Sequence, residues 1–543
     1  MKNKVQLDWQ IISLIFLIIV FFFVYSFLAI YQLPKNINDN LIFNSPDETA
    51  NYYFAYTFAK QSELQFKDSA NQIADDLAAP RSMRVINNNT VPATFIGFPL
   101  IAGTLAKIFT LKVIPFVLII FACLAIFFFY LLIKEIFNKQ IAFISALLLL
   151  IAPAWWYYAT KSLMPNVLFV ALLIISMYLF IKAIKSAKIP FYLLFGFFIG
   201  LALMVRTSEI TWLLPLFIIL LVIYRKKINW ANLALSFIVC LLSFAPVFYF
   251  NFQNYQSIFS FGYAVDLELQ GKDIITQSLN IFEKIFLPFG FQPRTALINF
   301  YNYTLKMFPV WSIISLLGFL IAGFFILLKK DKKRILYLAL FLLISGYLVI
   351  YYGSWSFHDN PDPQAITIGN SYVRYWLPVY VFILPLIGYS LFKFLKKSKL
   401  AVTFVTAVLF IVLGYFSFQQ VYFGQDEGIY LVYNNLKSYE QIQSQVSAKI
   451  EDNAIIVADI MDKVFFPRRS VIFRLNKDYD YQRVYQLIAA GYPVYYFYFT
   501  RHDALLAEFN ERYFFQHQLE VQPSIVDFKE QSLYPIRILN SEF

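Results

Sequence analysis

Long apolar runs recur along this chain, and nothing else in it restricts the fold so severely. A run of about 18 or more apolar residues crosses a bilayer as a helix, because only a helix satisfies every backbone N–H and C=O within its own segment. Such runs fall at residues 9–33, 113–133, 140–158, 164–182, 190–206, 209–224, 230–250, 308–328, 335–352, 375–392 and 400–418. The reading is a polytopic α-helical membrane protein with about eleven spans. Composition agrees: 59% of the 543 residues are hydrophobic and only 14% are charged, where a soluble chain carries about a quarter.

The net charge of +12 does not point to nucleic acid, because the basic residues sit at loop ends. Alternate loops carry them: "KNK", "KEIFNK", "KAIKSAK", "YRKK", "KKDKKR" and "KFLKKSK". Basic loops stay on the cytoplasmic side. The N-terminus is therefore expected inside, the C-terminus outside, and the location the cell membrane. The first apolar run is too long for a signal peptide and has no small-residue cleavage site, so it reads as a retained helix. Cys123 and Cys240 both lie in apolar runs and imply no disulfide framework. The segment "TVPATFIGFPLIAGTLAKIFTLK", residues 90–112, is apolar but short and holds two prolines. Counted as a span it would invert every later basic loop, so it reads as a re-entrant or interfacial helix.

Three regions remain outside the membrane: 34–112, about 251–307, and the tail from about 419. The tail alternates strand-like stretches ("NAIIVADI", "SVIFRL", "YPVYYFYF") with helix-like ones ("YEQIQSQVSAKI", "YQRVYQLIAAG"). That alternation predicts a small extracytoplasmic α/β domain. The division is then 1–418, a membrane domain whose first outer loop is 34–112, and 419–543, the α/β domain.

The first outer loop contains "FNSPDETANYYFAYTFAK", residues 43–60. Its local reading is a helix start: Ser45 as N-cap, Pro46 in the first turn, Asp47 and Glu48 on the positive end of the helix dipole, and Ser45-x-x-Glu48 as a capping box. A cap does not exclude a catalytic role, because it fixes where the neighbouring carboxylate points. Lys161, Arg206, Glu209, His358 and Arg374 all fall at the outer level of the spans. Snorkelling of the cations to the interface explains each one singly. Several cations with one acidic pair on the same face instead suit group transfer off a phosphate: a carboxylate takes a proton from the nucleophile, and cations meet the leaving charge. No nucleotide pool exists outside a cell, so a phosphate-activated substrate there arrives attached to a lipid.

These stretches resemble the GT-C membrane glycosyltransferases, in the branch of the protein O-mannosyltransferases and lipid A aminoarabinose transferases. The resemblance covers residues 9–418 and rests on "PDETANYYFAYTFAK", "KSLMPNVLFVALLIISMYLF", "GFFIGLALMVRTSEITWLLPL" and "NSYVRYWLPVYVFILPLIG". Two positions depart from the pattern: Asn166 where an acid is common, and Val91-Pro92 where two prolines are common. The resemblance implies a GT-C fold and transfer of a sugar from a polyprenyl-phosphate donor to a glycan, lipid or protein acceptor. It implies that Asp47 is the catalytic base and Glu48 a positioning residue or a substitute for the base, and makes Arg206 and Arg374 candidates for the donor phosphate. Lys161 and His358 are further phosphate candidates, and Arg81 and Arg84 candidate loop contacts. A single displacement inverts the anomeric centre. It needs no metal or other cofactor, because the leaving group is already a phosphate. "HDNPD" (His358, Asp359, Asp362) is the one stretch with metal-ligand types, and turn-forming Asn-Pro and Asp-Pro also account for it. Two alternatives stay open at this stage: a transporter or flippase of a lipid-linked or polar substrate, and a surface-polysaccharide polymerase or ligase.

Overall fold

A computed structural model describes residues 9–33, 41–161, 163–260, 262, 281–357, 362, 364–396 and 398–539. Among the described residues, eight helices are long and apolar enough to cross a membrane: Leu111–Ile136, Pro165–Ser186, Thr207–Tyr224, Trp230–Tyr255, Pro309–Lys329, Lys332–Gly353, Leu377–Leu395 and Leu400–Phe423. Lys139–Ile151 and Pro153–Thr160 are long and apolar enough only when taken together, with a bend of 53° between them, as in a broken span or a re-entrant loop. The bend sits at Pro153, whose ring leaves no N–H for the helical ladder. The other two spans expected from the sequence correspond to 17-residue helices, Trp9–Tyr25 and Ile189–Val205. Exposed side chains such as Leu214, Ile218 and Val222 recur every fourth residue. That stripe is unfavourable in water and suits acyl chains.

The chain packs as two compact units. One comprises 1–31, 115–247 and 268–431; the other comprises 32–114, 248–267 and 432–543. The first is the helical bundle. The boundary expected at 418/419 does not follow this packing, because the first outer loop belongs with the tail.

In the second unit, the helix Pro46–Gln61 lies against the helix Gly97–Ile108. The contact is closest at Gly103, where an added Cβ would come within 2.7 Å of the Ala55 carbonyl oxygen. Twelve residues give a helix of about 18 Å, too short for a hydrocarbon core of about 30 Å. The segment expected as one helix over 90–112 also begins differently. Asn89–Pro92 is strand β3, paired antiparallel with β1 (Phe66–Lys67) and β2 (Met83–Ile86). The tail carries β4 (Ile455–Val457), β5 (Ser470–Ile472) and β6 (Val494–Phe499), the three strands expected from the sequence. They are parallel in the order β5-β4-β6, and β7 (Leu519–Val521), β8 (Val526–Asp527) and β9 (Gln531–Ile538) extend the sheet antiparallel. The helix Asp478–Ala489 ends as expected, with Gly491 in the left-handed region at φ +88°.

The core of this sheet is not made by the tail alone. Ala70, Ala74 and Ala78 pack with Ile455, Val457, Val484 and Leu519. Arg81 fastens the same loop: its Nε and Nη2 donate to Asp462 Oδ1 at 3.1 and 2.7 Å, and its amide donates to Oδ2 at 2.6 Å. Asp462 is fully buried. Asp462→Ala should lower the unfolding free energy by about 2 kcal/mol, as expected for lost hydrogen bonds to a charged group. A thermal melt of the purified protein checks this; an unchanged midpoint would show that the loop is held by its alanines alone.

Candidate active site

Two clusters contain the residues singled out by sequence, one in each unit. In the second unit, Ser45 is extended (φ −116°, ψ 143°) and Pro46 opens the helix. The Ser45 amide donates to Glu48 Oε2 at 3.2 Å, and Glu48 is 5% exposed. Glu48 therefore serves the cap. Asp47, one residue earlier and half-buried, is turned elsewhere: its Oδ1 accepts from the Ser82 hydroxyl at 2.6 Å. Ser82 occupies the left-handed region, φ +63°, beside the Arg81–Asp462 clamp. The aromatics that follow fasten the helix. Tyr53 meets Phe66 and Phe466 edge-on, each at 4.9 Å between ring centres. Lys463 donates to the Asn44 carbonyl. Burial lowers the pKa of the Arg84 guanidinium, and the nearby Tyr255 phenol opposes that shift. Ser82, Asp462 and Lys463 were not singled out by sequence. They lie far from Asp47 in the chain and belong to no motif.

In the bundle, Asn370 caps the short helix Ser371–Tyr375, accepting the Tyr372 amide at 3.1 Å, and Pro378 restarts the chain as Leu377–Phe382. The break places Arg374 and Tyr375 on one turn. Arg374 donates to Ser371 Oγ at 2.8 Å and to Met164 Sδ at 3.0 Å. Both are weak partners for a guanidinium. Arg206 is more firmly held. Its Nε donates to Glu209 Oε1 at 2.8 Å and its Nη2 to the Tyr352 hydroxyl at 3.1 Å. Glu209 also accepts from Tyr352 (2.6 Å) and the Trp212 indole (2.5 Å). The two arginines meet at Tyr375, with guanidinium carbons 4.7 Å (Arg206) and 5.3 Å (Arg374) from its ring centre. Tyr352 stacks on the same ring at 4.4 Å.

Lys161 ends the helix Pro153–Thr160, three residues before Met164. It is 3% exposed, its ammonium lies 6.0 Å from the Tyr157 ring centre, and it forms no ion pair among the described residues. The Tyr158 hydroxyl donates to the Asn370 carbonyl at 3.0 Å, joining this helix end to the Arg374 turn. Arg206 and Arg374 thus meet at one turn, and the helix that ends at Lys161 is joined to that turn through Tyr158; His358 and Asp359 lie outside the described residues. No group of three or more His, Cys, Asp or Glu side chains suited to a metal occurs among the described residues. A buried ammonium such as that of Lys161, without an ion pair among the described residues, is unfavourable unless an anion joins it.

An apolar cavity of about 700 Å³ runs from Trp212, through Leu216, Leu220 and Phe341, to Lys185, Lys227, Lys332 and Lys333. Lys182 and Lys185 also pair with Glu135. Four of the basic loops therefore meet at one end of the bundle.

Residues 95–250 of the 543 match the family model described as dolichyl-phosphate-mannose-protein mannosyltransferase. No curated protein sequence matches the chain. Among solved structures, the apo oligosaccharyltransferase of Archaeoglobus fulgidus superposes with a TM-score of 0.53 at 13% identity, covering 90% of this chain and 69% of its own. Apo ArnT from Cupriavidus metallidurans gives 0.52 at 13% identity, covering 95% and 97%. ArnT bound to undecaprenyl phosphate gives 0.51 at 10%, covering 96% and 97%. The likeness extends through the bundle and the tail, and the chain has the GT-C fold.

Proposed function

We propose that this integral membrane protein is a glycosyltransferase that moves a sugar from a polyprenyl-phosphate donor to an acceptor hydroxyl at the outer face of the cell membrane. The observation that carries the reading is the cluster of Arg206 and Arg374 at Tyr375, joined through Glu209 to Trp212 on the wall of an apolar cavity, an arrangement suited to a lipid with a phosphate head. Arg374 and Lys161 take the donor phosphate. Arg206, neutralised by Glu209, holds Tyr375 and so positions Arg374. The isoprenoid tail follows the cavity past Trp212. Asp47 removes the acceptor hydroxyl proton as the oxygen attacks the anomeric carbon, the bond to the phosphate breaks, and the centre inverts. The leaving group departs as a phosphate, so no metal is required. The oligosaccharyltransferase tethered to an acceptor peptide and ArnT with undecaprenyl phosphate share this fold and support a lipid-linked donor with a glycan, lipid or protein acceptor.

The test is purified protein in lipid nanodiscs with polyprenyl phosphate carrying a radiolabelled sugar. Label should pass to the acceptor with release of polyprenyl phosphate. Movement of intact labelled lipid across a vesicle, with no bond broken, would establish a transporter instead.

Orientation has its own test. The basic loops gathered at one end of the bundle are assigned to the cytoplasm, which puts the tail outside. Ser438 is exposed on the helix Ile429–Ser447. A cysteine there should react with a membrane-impermeant maleimide on intact cells, against a background set by Cys123 and Cys240. Labelling that appears only after lysis would reverse the assignment.

A further inference from the structure

The tail sheet contains a second arrangement suited to a ligand. In the order β5-β4-β6 the first parallel strand lies between the two that follow it, so the connections diverge between β4 and β6. Ligands of open α/β sheets bind at the carboxyl ends of the strands at such a point. Here those ends lead to Asp459 after β4, Arg474 after β5 and Arg501 after β6.

Asp459 stands at φ +41°, an uncommon conformation for a residue with a side chain. Its Oδ1 accepts from Arg474 Nη2 at 2.6 Å, and the Arg474 side chain remains 46% exposed. The Arg501 guanidinium carbon lies over Phe509, 4.2 Å from the ring centre, and 5.3 Å from that of Tyr498. Tyr496, Tyr498 and Phe509 lie within 12° of parallel, their centres 5.0–5.9 Å apart. Asp459 raises and Arg501 lowers the pKa of the Tyr496 phenol, behind the larger upward effect of burial, so both charges converge on it. Arg501 Nε is buried with no acceptor among the described residues. A buried charged donor without an acceptor is unfavourable, and an anionic ligand bound there supplies the acceptor.

We propose that the carboxyl ends of β4, β5 and β6 bind an acidic sugar unit. Arg501 and Arg474 take its carboxylate or phosphate, Asp459 accepts from its hydroxyls, and the rings of Tyr498 and Phe509 pack against its C–H face. The ring faces carry negative charge and the sugar C–H bonds positive charge, so contact is attractive. Assignment of this sugar to the acceptor glycan rests on the transfer reading above; the binding itself does not.

The experiment is calorimetric titration of the full chain in zwitterionic nanodiscs with trigalacturonate, maltotriose and glucose 6-phosphate. Trigalacturonate or glucose 6-phosphate should bind at least about 10-fold more tightly than maltotriose, and whichever is tighter identifies the anion as carboxylate or phosphate. Arg501→Gln should weaken that binding about 10–100-fold, with Arg501→Lys in between and melting temperatures unchanged. Asp47→Asn should leave it intact, so loss of transfer and loss of this site are read separately. Equal binding of charged and neutral sugars, no binding of any, or a folded Arg501→Gln with full affinity would overturn the proposal. If Arg501→Gln fails to fold, Arg474→Gln carries the same test.

Discussion

Asp47→Asn should reduce sugar transfer by about 10²–10⁴-fold, the usual worth of a general base, with folding and donor binding preserved. Asparagine keeps the size of the side chain, and its carbonyl still accepts from Ser82, which in the native protein donates to Asp47 Oδ1 at 2.6 Å. What it loses is the capacity to take a proton. A carboxylate that only complemented the helix dipole would be worth about 0.3–1 kcal/mol of stability, with transfer nearly intact. Glu48→Gln provides the contrast, since glutamine can still receive the Ser45 amide and close the cap. The measurement is transfer by purified protein in lipid, with thermal stability followed in parallel. Near-normal transfer by Asp47→Asn would remove the base from this helix start.

Arg374→Ala should weaken donor binding by about 2–5 kcal/mol, the range for removing one partner of a desolvated charge pair, and leave acceptor binding nearly unchanged. The hydrogen bonds of Arg374 to Ser371 Oγ and Met164 Sδ go to uncharged acceptors, which leaves its positive charge available to a phosphate. Arg374→Lys should recover part of the loss, as a point charge that cannot grip two phosphate oxygens in the guanidinium geometry. Arg206→Ala should behave differently. It leaves Glu209 buried without its cation, beside Tyr352 and Trp212, so the protein should lose stability before affinity can be compared. Titration with polyprenyl phosphate alone separates the two cases. Wild-type donor affinity in Arg374→Ala would sink the assignment of the phosphate to this turn.

The resemblance to GT-C proteins drew Arg206 and Arg374 together as one kind of residue, and the structure separates them. The i,i+3 spacing of Arg206 and Glu209 is visible in the sequence and is the ion pair observed. That Tyr352, inside an apolar span, completes the pair has no local sign, because a tyrosine in such a run also fits an interfacial anchor. Tyr375 stands in the quoted "RYWLP", yet its place between two guanidinium groups depends on how three helices meet. Likewise the Ser45–Glu48 box is a pattern of four residues, whereas the Ser82 hydroxyl reaches Asp47 only because a turn in the left-handed region is held by Arg81 and Asp462.

By itself the sequence determined the helical membrane architecture, the capped helix start and three strands of the tail. Each rests on short-range physics: the hydrocarbon thickness sets the length of an apolar run, and caps and alternation act within a few residues. Only the tertiary structure decided that Ala70, Ala74 and Ala78 enter the core of a sheet almost 400 residues later. Tertiary packing also decided which cations gather at Tyr375 and that Asp47, unlike Glu48, meets the Ser82 hydroxyl. These depend on packing between distant segments, where a one-residue change of register turns a side chain to another face, and no local pattern records that choice.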